Sequence, residues 1–156
     1  MNILVRRLKA QELETALELV WKTYLEFEAP EYGPKGVETF RKDVMDNDDF
    51  KSECKNGNNP MWGAFDDKKL VGVFVMRGES HISLVFTSKE YHRKGVATKI
   101  FEQLVLDVKK HNNNLKELTV NSSPYGRAFY HNVGFVDVDK EKTINGIRFI
   151  PMKYTL

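Results

Sequence analysis

A chain of 156 residues, 41% of them hydrophobic and 29% charged, has the size and composition of one compact globular domain. Its net charge of +2 is too small to point to nucleic acid, and no apolar run reaches membrane-spanning length. The single cysteine, Cys54, excludes an internal disulfide, and Met1 to Ala10 lacks a signal-peptide core, so a cytoplasmic protein is expected.

In chain order, "ILVRRL" (Ile3 to Leu8) predicts a short strand. Leu13, Ala16, Leu17, Val20, Trp21, Tyr24 and Leu25 recur at helical spacing, which predicts an amphipathic helix over Ala10 to Glu28. "APEYGP" breaks it, and Val37, Phe40 and Val44 mark a shorter helix over Gly36 to Met45. "DNDDFKSECKNGNNP" is rich in Asn, Asp and Gly and reads as a loop, with Cys54 an incidental thiol. "MWGAFD" and "KLVGVFVMR" follow as strands joined through Asp66, Asp67 and Lys68, and a turn at Gly78 to Ser80 leads to "HISLVFT". Connections this short predict an antiparallel meander. In "HISLVFT", alternation points His81 and Ser83 to one face, Ile82 and Leu84 to the other.

Ala97, Ile100, Phe101, Leu104, Val105 and Val108 form one apolar stripe, so a helix runs from Lys94 to Lys110. "ELTVNSS" is a strand. Ser123 then caps a short helix, with Pro124 in its first turn and Gly134 as its stop. "FVDVDK", a turn at Asn145-Gly146 and "IRFIPMKYTL" close the chain as a hairpin. There is no repeat, low-complexity tract or linker, so residues 1–156 are expected to form a single domain. The strand at His81 to Thr87, the helix at Lys94 to Lys110 and the strand at Glu117 to Ser122 make a βαβ unit. Its two strands should lie parallel or splayed, with a right-handed crossover.

Charge is unevenly spread. Glu26 to Asp49 holds eight acids and three bases, a net −5, which leaves the remainder at +7. Such a chain can hold an anion in one place and a cation in another, although solvated helix faces would give the same pattern. The segment "KEYHRKGVATKI" concentrates the cations at the start of a helix, where the dipole and unpaired N–H groups already disfavour them. A strand, a basic turn, Gly-x-Ala and a helix form the geometry of an anion site, with Gly95 permitting close backbone approach. It is not a nucleotide P-loop, since G-x-x-x-x-G-K-[ST] is absent, and the dinucleotide fingerprint G-x-G-x-x-G is absent too.

Together, "LVFTSKEYHRKGVATKIFEQLV" and "LTVNSSPYGRAFYHNVGFV" resemble the two signatures of the GNAT superfamily of N-acetyltransferases. The first is similar to its acetyl-CoA signature [Q/R]-x-x-G-x-[G/A], with His92 in place of Gln or Arg. The second is similar to its motif of a tyrosine before a Gly-Phe pair. The element order matches over nearly the whole chain. The resemblance implies an α/β (α+β) fold with a mixed, mostly antiparallel seven-stranded sheet, a central βαβ splay and about four helices.

The resemblance also implies roles. Phe86 and Thr87, at the end of a bulged strand, would pair with the pantetheine arm and offer amides to an oxyanion. His92, Arg93, Lys94, Gly95, Val96, Ala97 and Thr98 would cradle the pyrophosphate, and Asn121 would bond near the pantetheine or the acceptor. Tyr130 would protonate the departing thiolate. His81, with Glu79 beside it, is a candidate base, a role a water relay could also fill. Tyr24, Glu26, Glu28, Glu31 and Tyr32 would form an acidic, aromatic acceptor side for a cationic amine. His111 and His131 read as surface residues at helix ends, and no ligand spacing suggests a metal.

The implied function is direct acetyl transfer from acetyl-CoA to a primary amine, either a small molecule or a protein amine, with no nucleic-acid or membrane partner. A non-catalytic acyl-CoA-binding or regulatory module on the same fold is the alternative. Edges of the last hairpin could pair across a homodimer.

Overall fold

A computed structural model describes residues 1–156. The chain runs β1 (Ile3–Arg7), α1 (Leu13–Phe27), α2 (Ala29–Phe40), α3 (Asp48–Lys55), β2 (Met61–Asp66), β3 (Lys69–Arg77), β4 (His81–Thr87), α4 (Val96–His111), β5 (Glu117–Ser122), α5 (Arg127–Val133), β6 (Val136–Asp137), β7 (Lys142–Ile144) and β8 (Ile147–Thr155). The strands form one open sheet in the order β1-β2-β3-β4-β5-β8-β6, with β7 also on β8. Every pairing is antiparallel except β4 with β5.

Two cores flank the sheet. On one face, α4 packs Val96, Ile100, Phe101, Leu104 and Val108 against Ala64, Phe74, Leu118 and Val120. Trp62 is buried there, and its indole N–H donates to Asp107 Oδ2 at 2.8 Å, so a large apolar ring enters the core without an orphaned donor. On the other face, α1 buries Leu13, Ala16, Leu17, Val20 and Tyr24 against Val73, Val75, Leu84 and Phe86. Fully burying an apolar side chain of this size stabilises by about 1.5–3 kcal/mol, so the two stripes fix both helices on the sheet.

Several segments depart from the sequence expectation. "APEYGP" does not end the helical region. Helix resumes across a kink at Gly33, whose φ of 71° only glycine adopts without strain, and Pro34 follows as the first residue of the new turn. Phe40 stacks on Tyr24 at 3.8 Å between ring centroids, and Tyr32 stacks on the same ring at 6.1 Å, which holds α2 against α1. Past Phe40 the helix widens into a π turn, Arg41–Met45. The expected loop after it contains α3, because Asn47 caps the helix by accepting from Phe50 N–H at 2.9 Å and Phe50 and Cys54 share its buried side. Asp, Asn and Gly content masked a short amphipathic helix.

Ser123 caps a tight turn, accepting from Gly126 N–H at 3.0 Å, and α5 begins only at Arg127. The first arm of the last hairpin is broken into β6 and β7 along the same edge of β8, giving eight strands where seven were expected. Five α-helices stand where about four were expected, α3 being the addition.

One irregularity shapes the centre of the molecule. Val75 pairs with Leu84 and Met76 with Ile82, so Ser83 is an extra residue in β4. The bulge turns the chain over: Ile82 joins the α4 core and Leu84 the α1 core. The strict alternation read from sequence therefore fails at Ser83. The bulge lies there and not at Phe86 and Thr87. β4 and β5 pair only through His81↔Thr119 and Ile82↔Val120, and beyond those residues they separate.

Candidate active site

The gap between the separating strands opens into a cleft of about 780 Å³, within the range of small-molecule sites. Its β4 wall runs from Ser83 to Thr87, which has β3 on one side and no strand on the other. That edge presents unpaired backbone groups to an extended ligand. Thr87 adds a buried hydroxyl with no hydrogen-bond partner in the chain.

At one end the cleft is built from the backbone. Residues Arg93 to Thr98 form a turn and the first turn of α4, and none of their six amides donates to the protein. Arg93 (φ 60°) and Gly95 (φ 77°) take left-handed conformations that aim successive N–H groups together. A Cβ at Gly95 would meet nothing within 4 Å, so glycine is required there for its φ and the surrounding space is open. Helix dipole and orphan amides favour an anion there. His92, Arg93, Gly95, Val96, Ala97 and Thr98 all line the cleft. Lys94 does not: its ammonium lies over the Tyr91 ring, 5.7 Å from the centroid.

His92 also does more than replace a charge. Its Nε2–H donates to Thr87 O at 2.6 Å, which leaves Nδ1 to accept from Tyr125 O–H at 3.3 Å. Its ring packs on Phe27 with centroids 4.6 Å apart. The side chain thereby ties the end of β4 to the anion turn and to α1.

Tyr130 stands mid-cleft on α5. Its ring is fixed between Phe129 and Phe135, each 5.3 Å away between centroids, and its hydroxyl makes no hydrogen bond within the chain. Burial, with the Glu28 carboxylate nearby, pushes the phenol well above its ordinary value, so it holds its proton at neutral pH. Tyr130 is the one residue of α5 buried in the α4-side core, while Phe129, edge-on to Phe74, packs against that core only partly buried. Asn121, at the end of β5, lines the opposite wall.

The other end is built from side chains. Glu28, Tyr32, Thr39 and Phe40 come from α2 and its junction with α1; Asn145, Ile147 and Phe149 come from the last hairpin. Glu28 is half-buried, and Tyr32 O–H donates to its Oε1 at 3.5 Å. Burial first, and then Glu31, pushes its carboxyl up to about 7, while the hydroxyls of Tyr32 and Ser123 draw it partly back. Of the charged residues lining the cleft, Arg93 stands at the amide end, Glu28 stands at this end, and Asp43 lies on the exposed rim. The uneven charge of the sequence thus folds into a bipolar cleft.

Other expected site residues lie elsewhere. Tyr24 is fully buried beneath the cleft floor, stacked on Phe40, and does not line it. His81 lies at the paired end of β4, its Nδ1 2.8 Å from Thr119 Oγ1, outside the cleft. Burial, with Arg77 close by, lowers its pKa, so the ring is neutral at physiological pH. Glu26 and Glu79 are likewise not lining residues. His131 is engaged by Asp137 at 2.8 Å on the surface, as a helix-end residue should be. Cys54 is buried in the α1 core, away from the cleft, and burial pushes its thiol up to about 11. No group of three or more His, Cys, Asp or Glu side chains could hold a metal ion, and no helix is long and apolar enough to cross a membrane. Sequence reasoning missed Phe149, Ile147 and Thr39, which have no local motif; of the acceptor-side residues it named, Glu28 and Tyr32 line the cleft.

Comparison with known proteins agrees with this arrangement. A family model described as an acetyltransferase (GNAT) domain matches residues 28–156. The chain is 23% identical over 141 residues to an uncharacterised N-acetyltransferase of Escherichia coli strain K12, YafP, covering 90% of this chain and 86% of that protein. Its fold is similar to that of a GCN5-related N-acetyltransferase from Rhodopseudomonas palustris (TM-score 0.83, 18% identity, covering 100% of this chain and 97% of the other). It is also similar to that of the PaiA N-acetyltransferase from Thermoplasma acidophilum, solved in complex with coenzyme A (TM-score 0.76, 20% identity, both chains covered in full). A match to the family model over most of its length, on a sheet that opens between β4 and β5, places the chain in the GNAT acetyltransferase family.

Proposed function

We propose that the protein is an N-acetyltransferase that moves an acetyl group from acetyl-CoA to a primary amine by direct attack in a ternary complex. The observation that carries this reading is the bipolar cleft, with free amides at one end, a half-buried carboxylate at the other and a buried phenol between them. The chain fits a CoA thioester on its own features: six partnerless amides at Arg93 to Thr98, open space around Gly95, the unpaired β4 edge and the orphaned Thr87 hydroxyl. His92 to Thr98, with Asn121 across the cleft, would hold the cosubstrate, which supplies an activated acetyl thioester.

Glu28 is the base in this reading. A carboxyl that titrates near neutrality can take the proton from an acceptor ammonium, and one hydrogen-bonded to Tyr32 is held in place. The freed nitrogen forms its bond to the acetyl carbonyl carbon, the carbon–sulfur bond breaks, Tyr130 gives its proton to the leaving sulfur, and the surplus proton on the new amide nitrogen passes through water to restore the Tyr130 phenol. N–H groups on the free edge of β4 face the developing oxyanion. Cys54 takes no covalent part, since its thiol is buried away from the cleft.

Calorimetry with acetyl-CoA, run beside an amine screen that reads CoA release, tests the proposal. Micromolar binding with amine-dependent release is expected. Binding without release for any amine would instead support a non-catalytic acyl-CoA-binding module, and no binding would overturn both readings.

A further inference from the structure

Resting on that reading, we infer that the acceptor is a small primary amine with one cationic end and an apolar, arylalkyl-like body, and not a lysine within a protein. The first observation is the chemistry of the acceptor end. Glu28 offers a single half-buried carboxylate to an ammonium beside the Tyr32 ring, in a cleft that Phe40 also lines. Carboxylate and aromatic faces together suit one desolvated cation. The lining continues with the half-buried Phe149 and Ile147, which reward an apolar body and penalise a second charge, and with the exposed Ile144 at its edge. Asp43 lies on the exposed rim, where water already solvates a charge.

The second observation is that the hairpin tip bridges to α2 at this end. The hairpin tip at Asn145-Gly146 sits directly on α2. Thr39 Oγ1 donates to Asn145 O at 2.6 Å, and a Cβ at Gly146 would lie 2.7 Å from Gly36 N. In turn a Cβ at Gly36 would lie 2.6 Å from Gly146 O, so both glycines are needed for the backbones to touch. A lysine in a peptide needs a groove through which chain enters on one side and leaves on the other. The clasp joins the two walls that would flank such a groove.

The test measures CoA release from acetyl-CoA with 2-phenylethylamine, 1,4-diaminobutane and a lysine-containing peptide, with acetyl-CoA affinity measured separately by calorimetry. The expected kcat/KM for phenylethylamine is at least tenfold above either competitor. Gly146→Ala, strained at φ 81° and pressed on Gly36, should raise KM for phenylethylamine at least fivefold and leave acetyl-CoA affinity within twofold. Thr39→Ala, which keeps both glycines, provides a second variant if Gly146→Ala melts below the assay temperature, and should raise the same KM at least threefold. Acetyl-CoA binding with equal or better turnover of the peptide or the diamine would overturn this inference alone, as would release with none of the three. Absence of acetyl-CoA binding would overturn the proposed function and this inference with it.

Discussion

The two ends of the cleft are made differently. At Arg93 to Thr98 the protein offers its backbone: six adjacent amides, two left-handed residues and a helix dipole, with one cation at the rim. At Glu28 it offers side chains from α2, its junction with α1 and a hairpin more than a hundred residues away, held together by aromatic stacking and a glycine contact. Backbone donors are set by local conformation and cost little to hold. The carboxylate is costly, because burial and Glu31 both resist its ionisation. The amide end should therefore be sensitive to backbone changes and tolerant of lost charge, while the Glu28 end should be governed by single side chains and by pH.

The largest expected effect lies between the two ends. Tyr130→Phe should lower kcat by about a hundredfold or more with acetyl-CoA affinity within twofold, measured in single-turnover experiments where chemistry is visible. An unchanged chemical rate would remove the phenol from the reaction. At the amide end, Gly95→Val should weaken acetyl-CoA binding by roughly thirtyfold or more, since a β-branched residue is strained at this φ and would shift the turn that sets the amides. Arg93→Ala should weaken it only about fivefold and in a salt-dependent way. Calorimetry of both variants checks the order, and a reversed order would make this end charge-built.

At the acceptor end, Glu28 should cost stability. In the unfolded chain its carboxyl ionises near its ordinary value of 4.5, whereas in the folded protein it keeps its proton up to about 7. Stability therefore falls as pH rises from about 4.5 to 7, and the deficit persists above that. Glu28→Gln should stabilise by about 1–2 kcal/mol at pH 8, allowing for screening of a half-buried group, and by nothing measurable at pH 4. Denaturant melts at the two pH values test this. The smallest effect on activity belongs to Cys54→Ala, which should leave kcat/KM within twofold and cost about 1 kcal/mol of stability through the small cavity left behind.

The same contrast explains what was legible in the sequence. The meander, the βαβ unit and the anion turn follow from local periodicity and from Gly95, so they can be read from neighbouring residues. Tyr130 was singled out only by the resemblance of its segment to a family motif, a tyrosine before a Gly-Phe pair. The Ser83 bulge was not, since one inserted residue leaves no trace in an alternating pattern until its pairing is seen. That bulge decides which residues face the cleft and leaves His81 at the paired end. Tyr24 and Glu28 are four residues apart on what reads as one helical face, yet one is core and the other lines the cleft. Tyr32, one helical turn after Glu28, reaches its carboxylate, whereas the kink at Gly33 turns the rest of α2 so that Phe40 covers Tyr24. The hairpin clasp was equally hidden, because it depends on two glycines distant in sequence.

The pH dependence of kcat/KM, compared between the unmodified protein and Glu28→Gln with one amine acceptor, tests the central claim most directly. In the unmodified protein kcat/KM should rise with pH through an inflection near 7, as Glu28 loses its proton, and then level off. In Glu28→Gln the value should fall about a hundredfold and the inflection near 7 should vanish. An inflection near 7 that survives in Glu28→Gln, with activity within a few-fold, would contradict the assignment of Glu28 as the base.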